Sequence, residues 1–74
     1  MEKEILEILK EICPGVDFEK EQALVDDEIL ESLDVVSIVS ELMYKYNIEL
    51  DVEDLLPEHF NSLKQITELV ESKL

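Results

Sequence analysis

Few side chains in this sequence could carry out chemistry themselves. The only histidine, His59, lies in a Pro-Glu-His-Phe connection, and the only cysteine, Cys13, precedes Pro14 and Gly15. Nucleophilic catalysis needs a base beside the nucleophile and a third group that orients the base, and no spacing in the chain organises such a set. We interpret His59 as a surface loop histidine. We interpret Cys13 as a packing residue whose thiol pKa is raised at a helix C-terminus. We predict that the protein is not an enzyme.

Two acidic runs, Asp26 to Glu28 and Asp51 to Asp54, could attract a calcium ion. An EF-hand loop needs oxygen ligands at alternating positions and a central glycine, and neither run has the glycine or the full spacing. One cysteine and one histidine cannot build a zinc cluster. We interpret both runs as solvated negative surface and predict no metal. A calcium-responsive helical protein stays as a weaker alternative.

The composition and net charge of the chain limit the kinds of molecule that it can bind. The chain has 74 residues, six lysines, no arginine and twenty acids, which gives a formal charge of −14. A chain of this length predicts one domain over residues 1–74, without a deep enclosed active site. Nucleic acids and anionic membranes are disfavoured, because both need a basic surface. Since the one cysteine forms no internal disulfide, and neither a signal peptide nor a membrane-spanning run is visible, we expect a cytoplasmic protein.

Apolar spacing predicts the elements that must position any site. Helical patterns cover Glu2 to Ile12 and Ser32 to Tyr46, with Asn47 as a left-handed cap. A short helical turn follows Asp51 and stops before Pro57, and the last helix runs from Ser62, as a capping-box serine, to Lys73. The apolar connection from Val16 to Leu30 is expected to lie on the core. The fold class is therefore all-α: a small four-helix bundle with three longer helices and one short helix.

Ten apolar residues are expected to make the main contacts of the core. They come from every predicted helix and from the long connection: Ile5, Leu9, Ile12, Phe18, Ile38, Leu42, Leu55, Phe60, Ile66 and Leu69. Leu74 is also expected on the inner face of the last helix.

The most informative stretch begins at the second helix. Glu31-Ser32-Leu33 opens that helix, an apolar frame of Val36, Ile38, Val39 and Leu42 continues it, and Tyr46 to Leu50 ends it. This pattern resembles the acyl carrier protein family, whose attachment motif is Asp-Ser-Leu at the start of its second helix. The short third helix near Val52 to Leu56 and the last helix opening at Asn61-Ser62-Leu63 are also similar, so the resemblance covers nearly the whole chain.

The resemblance implies a specific modification. Ser32 would be the hydroxyl to which a phosphopantetheinyl transferase attaches 4′-phosphopantetheine from coenzyme A, and the arm would carry acyl or aminoacyl groups as thioesters. The protein would be a monomer that meets loading ligases and acceptor enzymes with basic surfaces. The expected partner-binding residues are Glu31, Leu33, Asp34, Val36 and Glu41.

Three departures from the family pattern leave alternatives open. Glu31 replaces the usual Asp, Glu28 lies where glycine is common, and Ser37 and Ser40 lie where fatty-acid carriers usually show acids or a methionine. The resemblance implies a carrier in fatty-acid-like or specialised acyl-transfer biosynthesis. Ser37 and Ser40 weaken the case for the general fatty-acid system and leave room for a D-alanyl carrier of cell-wall polymers, or for a polyketide or peptide assembly line. If Ser32 is only a helix N-cap, the protein is instead an unmodified acidic interaction module.

Overall fold

The computed structural model describes all 74 residues and contains helices but no strand. The elements in chain order are α1 (Glu2–Ile12), α2 (Ser32–Tyr46), a 3-10 turn (Val52–Asp54), α3 (Pro57–Phe60) and α4 (Leu63–Lys73). The prediction of a small all-α bundle with three longer helices and one short one is confirmed at this level.

The ends of the long helices follow from local chemistry. α1 carries Glu2 and Glu4 in its first turn, where the helix dipole favours acids. Asn47 ends α2 in the left-handed conformation, with φ 52° and ψ 47°, as predicted. Ser62 is the N-cap of α4, and its Oγ accepts a hydrogen bond from the Gln65 N–H at 3.2 Å. The acidic first turn of α1, the left-handed cap at Asn47 and the N-cap at Ser62 are therefore confirmed. The Gln65 side chain makes no return bond to the Ser62 N–H, so the predicted capping box is only half formed.

The third helical segment differs from the prediction. Instead of one turn that stops before Pro57, the chain forms a 3-10 turn at Val52–Asp54 and then a four-residue α-helix that starts at Pro57. Proline disfavours the helical conformation in the residue before it, and Leu56 is extended accordingly, with φ −80° and ψ 145°. Proline itself fits the first helical position, where its missing N–H has no partner to lose. His59 therefore lies in a helix and not in a loop.

Helix packing closes the core around α1. α1 lies against both α2 and α4, and α3 lies against α4. Of the predicted core residues, Ile12 and Leu55 are half-buried and pack against the core, whereas the following are buried: Ile5, Leu9, Phe18, Ile38, Leu42, Phe60, Ile66 and Leu69. Leu74 remains 67% exposed, so its assignment to the inner face of α4 is wrong. α4 ends at Lys73, one residue too early to turn that side chain inward.

The long connection between α1 and α2 is part of the core, as predicted. Phe18, Leu24 and Leu30 are all buried within it. Between Val16 and Leu30 it contains two turns, at residues 18–20 and 24–28. The connection therefore acts as a packed layer beside the start of α2.

Candidate functional site

Ser32 occupies the first turn of α2 without serving as its cap. The N-cap is Glu31, which forms a reciprocal capping box with Asp34, and Asp34 Oδ2 accepts a hydrogen bond from the Glu31 N–H at 3.1 Å. Ser32 is exposed and its hydroxyl takes no part in this cap. The interpretation of Ser32 as only an N-cap is therefore wrong. Its hydroxyl is sterically accessible at the positive end of a fifteen-residue helix.

A cleft opens beside Ser32. It has a volume of about 730 Å³ and lies between the first turns of α2 and the segment from Leu55 to Phe60. Glu28, Glu31 and Ser32 contribute its polar edge. Its apolar lining includes Leu30, Val35, Val36, Leu55, Leu56 and Phe60. An exposed hydroxyl therefore adjoins an apolar groove of ligand-binding size.

Asn61 fixes the loop that leads into Ser32. Its side-chain Oδ1 accepts hydrogen bonds from the N–H groups of Val25 and Asp26, both at 3.0 Å, and its Nδ2 donates to Asp26 Oδ2 at 3.1 Å. Its backbone carbonyl accepts from the Leu24 N–H at 2.9 Å, and the Leu24 carbonyl accepts from the Leu30 N–H at 2.8 Å. We call this set of bonds the Asn61 clamp. It holds the loop at residues 24–30 against the α3–α4 junction.

Glu28 adopts a backbone conformation that suits glycine. Its φ is 59°, in the left-handed region that residues with a Cβ rarely enter. The resemblance stated in the sequence analysis led us to note that glycine is common in this region of the carrier family. The loop makes a left-handed turn at this position although the residue is Glu. Its N–H donates to the Val25 carbonyl at 3.0 Å, which closes the turn.

The predicted partner-binding residues surround Ser32 to different degrees. Leu33 is 78% exposed and Val36 is 54% exposed. Glu31 and Glu41 are also exposed. Asp34 is half-buried and is occupied by the capping box. It is therefore less available to a partner than the other four.

Cys13 lies close to the same capping box. Its thiol pKa is raised, first because of burial and then because the Asp34 carboxylate lies beside it. The direction matches the sequence prediction, but the main physical cause is burial and the neighbouring acid, not the end of α1. The thiol is half-buried and protonated at neutral pH, and the structure gives no sign that it acts as a nucleophile.

His59 lies away from this constellation, and neither acidic run forms a metal site. His59 lines a separate polar groove with Gln65 and Ser72, and its Nε2 is 3.9 Å from Glu58 Oε1. No group of three or more His, Cys, Asp or Glu side chains is arranged to hold a metal ion. None of the helices combines the length and apolar character needed to cross a bilayer.

Asp54 stabilises the segment that forms the far wall of the cleft. Its Oδ2 accepts from the Asp51 N–H at 2.9 Å and lies 3.0 Å from Lys73 Nζ. The pKa of Asp54 is lowered, first by the hydrogen bond from the Asp51 N–H and then by Lys73. The acidic run at residues 51–54 is thus used partly for capping and pairing with α4.

Sequence reasoning did not identify several residues of the site. Val25, Leu30 and Leu56 line the cleft, and Asn61 holds its loop, but the sequence analysis gave none of these four residues a role in the site. The available signal for Leu56 was its position before Pro57, which keeps the chain extended. Asn61 gave no local signal, because its partners lie 35 and 36 residues earlier.

Comparisons with protein-family models, with curated proteins and with solved structures find no match for this chain.

Proposed function

We propose that this protein is an acyl carrier protein that carries acyl or aminoacyl groups on a 4′-phosphopantetheine arm attached to the Ser32 hydroxyl. The observation that carries the proposal is that the Ser32 hydroxyl is exposed and is not used to cap α2. Ser32 lies at the start of a long helix, and the cap that a serine would ordinarily provide is supplied by Glu31 and Asp34. A role in capping therefore does not account for Ser32, and its accessible hydroxyl supports the proposal.

The surroundings of Ser32 fit the attachment of a phosphate ester. The first N–H groups of a helix have no intrahelical partners, and together with the dipole they favour an anion. Ser32 and Leu33 contribute such groups. Glu28 and Glu31 oppose a phosphate by like-charge repulsion, which is screened because both are exposed. Ser32 would hold the arm, whose own thiol supplies the acyl-carrying chemistry.

The cleft supports a cargo role. Its apolar walls on α2 and on the segment from Leu55 to Phe60 could cover a short acyl chain that would otherwise face water. Leu55 and Leu56 lie between a 3-10 turn and a four-residue helix, so this wall is built from short elements. Such elements separate from a bundle more readily than a long helix does.

The charge supports encounters with basic partners. At −14 the protein attracts a cationic enzyme surface and accelerates association at low ionic strength. Glu31 and Glu41 are the exposed acids at and along α2. The proposed partners are a phosphopantetheinyl transferase, a loading ligase and acceptor enzymes, and the protein is proposed to meet them as a cytoplasmic monomer.

The test is an intact mass before and after incubation with coenzyme A and a phosphopantetheinyl transferase of broad specificity. We expect the wild-type chain to gain the mass of one phosphopantetheinyl group and Ser32→Ala to gain none. Ser37→Ala is the matched control, because Ser37 is also an exposed serine of α2, and it should still be modified. Circular dichroism should show the same helix content in all three.

Two outcomes would overturn the assignment. If Ser32→Ala accepts the group, the attachment site is elsewhere. If the folded wild type gains no mass, and a Glu28→Gly, Glu31→Asp double variant gains none either, the protein is not a carrier. The acidic surface then favours the alternative of an unmodified module that binds a basic partner.

A further inference from the structure

The far wall of the cleft is fastened to the rest of the molecule at few points. We use this name for the segment from Asp51 to Phe60, of which Leu55 and Leu56 line the cleft. Leu50, which precedes the segment, and Phe60, at its end, are buried and anchor it on both sides. Between these anchors no residue is buried, and every hydrogen bond of the segment stays within it. Apolar packing therefore holds the middle of the far wall only weakly.

One polar contact joins the middle of the far wall to another element. Asp54 Oδ2 lies 3.0 Å from Nζ of Lys73, which is in the last turn of α4. The two other acid–base contacts of the molecule are longer, at 3.9 Å each. The side chains of Asp54 and Lys73 are 16% and 32% exposed, so the pair is partly withdrawn from water and is screened less than an exposed pair.

We propose that the Asp54–Lys73 pair is a latch that keeps the far wall closed over the cleft. Asp54 directly precedes Leu55, so the pair fixes the backbone that carries the apolar lining. When the pair breaks, the wall keeps its anchors at Leu50 and Phe60 while its middle moves away from α2, which widens the cleft for an apolar ligand. The latch rests on this geometry alone, whereas the identification of the ligand as an acyl cargo rests on the proposed function.

The ionic surroundings of the molecule control such a latch. Dissolved salt weakens the attraction between the two charges by screening it. A cation that a partner places beside Asp54 takes over the contact and releases Lys73. Opening of the cleft is therefore coupled to charges outside the cleft, and it does not require a change at Ser32.

Thiol labelling of the unmodified chain measures the opening. Leu55→Cys in a Cys13→Ala background places the only thiol in the far wall, and its rate of reaction with the uncharged disulfide 4,4′-dithiodipyridine reports how often it becomes accessible. Leu56→Cys, at a position 45% exposed in the same wall, repeats the measurement with a smaller change to the core.

Removing the cation of the latch should speed up this labelling. We expect Lys73→Met to raise the rate about threefold, as for the loss of one ion pair near the surface. Loss of a nearby cation by itself raises a thiol pKa and slows the reaction, so a faster rate reports movement of the wall. Lys64→Met is the matched control, because Lys64 is exposed in the first turn of α4 and its loss changes the net charge equally, and it should leave the rate unchanged.

Two further comparisons separate a latch from a general loss of stability. Ile8→Cys places the thiol at a half-buried position of α1 outside the cleft, where Lys73→Met should not change the rate. In an Asp54→Asn chain the amide can still accept from the Asp51 N–H, but the ion pair is already lost. Lys73→Met should therefore give no further rise at the Leu55→Cys thiol in that chain. Added KCl should raise the rate more with the latch intact than after Lys73→Met.

Three results would overturn the latch. They are an unchanged rate after Lys73→Met, an equal rise at the Ile8→Cys and Leu55→Cys thiols, and an equal rise with and without Asp54→Asn. None of these measurements involves Ser32. A failed latch therefore leaves the carrier function to its own mass measurement, and a chain that is never modified leaves the latch standing.

Discussion

Replacing Asn61 by Ala should destabilise the fold more than any exposed substitution in this chain. The side chain of Asn61 is 9% exposed and makes the three hydrogen bonds that hold Val25 and Asp26. Alanine removes all three and leaves two backbone N–H groups without their acceptor. The Asn61 carbonyl still accepts from Leu24, so the clamp is weakened and not abolished.

The magnitude follows from what surrounds each bond. A hydrogen bond contributes about 1 kcal/mol net, and a buried donor left without a partner costs about 1–3 kcal/mol. Val25 is half-buried and Asp26 is exposed, so water can partly replace the bonds at Asp26. We expect a loss of about 2–3 kcal/mol in the free energy of unfolding. A domain of this size has roughly 4–11 kcal/mol in total, so the loss lowers the melting temperature by roughly 10–20 °C.

Urea unfolding followed by circular dichroism measures this loss directly. The midpoint should fall while the m-value stays constant, because the same surface is exposed on unfolding. Gln22→Ala is the control, since Gln22 is exposed and outside the clamp, and it should change stability by less than about 0.5 kcal/mol. An Asn61→Ala protein within the same 0.5 kcal/mol of wild type would refute the reasoning.

Asn61→Asp refines the same argument. The carboxylate keeps an acceptor for the Val25 and Asp26 N–H groups, but it loses the donor to Asp26 and places two carboxylates together. Asp26→Asn in the Asn61→Asp background restores one amide and one carboxylate. The double variant should therefore be more stable than Asn61→Asp alone, and a double variant that is less stable would show that the side-chain bond contributes nothing.

Three further predictions concern stability. Glu28→Gly should raise the free energy of unfolding by about 1 kcal/mol in urea titrations, because glycine enters the left-handed region without the steric cost of a Cβ; a lower stability would contradict the observed φ. The pKa of Asp54 in the folded chain is lower than the unfolded value of about 3.9. The pair with Lys73 therefore stabilises the fold at pH values above about 3.9, and this stabilisation is lost as the pH falls through the folded pKa. At pH 7 the Lys73→Met protein should therefore have a lower melting temperature than Lys64→Met, which has the same net charge. The two melting temperatures should converge as the solution becomes acidic. A difference that stays constant with pH would exclude the Asp54–Lys73 pair as the cause. Added KCl should raise the melting temperature, since it screens self-repulsion at −14, and a melting temperature that falls with salt would mean that the ion pairs dominate.

The long helices could be predicted because their signals are local. The apolar spacing of α1, the left-handed Asn47 and the cap at Ser62 all act within one or two turns of the residues that they control. Ser32 was placed at the right helix end, but its role there was open. Serine is a better N-cap than glutamate by propensity, and the reciprocal box of Glu31 and Asp34 moved the cap by one residue.

The parts that escaped prediction depend on distant residues or on two competing local rules. Pro57 can stop one helix or begin another, and the buried Phe60 favours the second outcome by anchoring α3 in the core. The cleft needs α2 and the segment from Leu55 to Phe60 side by side, which no local pattern specifies. The Asn61 clamp joins residues more than thirty positions apart. The resemblance of Glu31-Ser32-Leu33 to the carrier family stays a prediction, to be decided by the mass measurement.

The two turns of the long connection have different tolerance for inserted sequence. The first is closed only by local hydrogen bonds, from the Lys20 and Glu21 N–H groups to the Asp17 carbonyl, and Lys20 and Gln22 point into water. The entropic cost of lengthening such a loop grows slowly with length. Residues 20–22 could therefore accept a tether or a grafted peptide, whereas the same insertion at residues 26–28 would pull apart the turn that the Asn61 clamp holds. A fusion partner carried at the first turn would leave Ser32 and its cleft undisturbed.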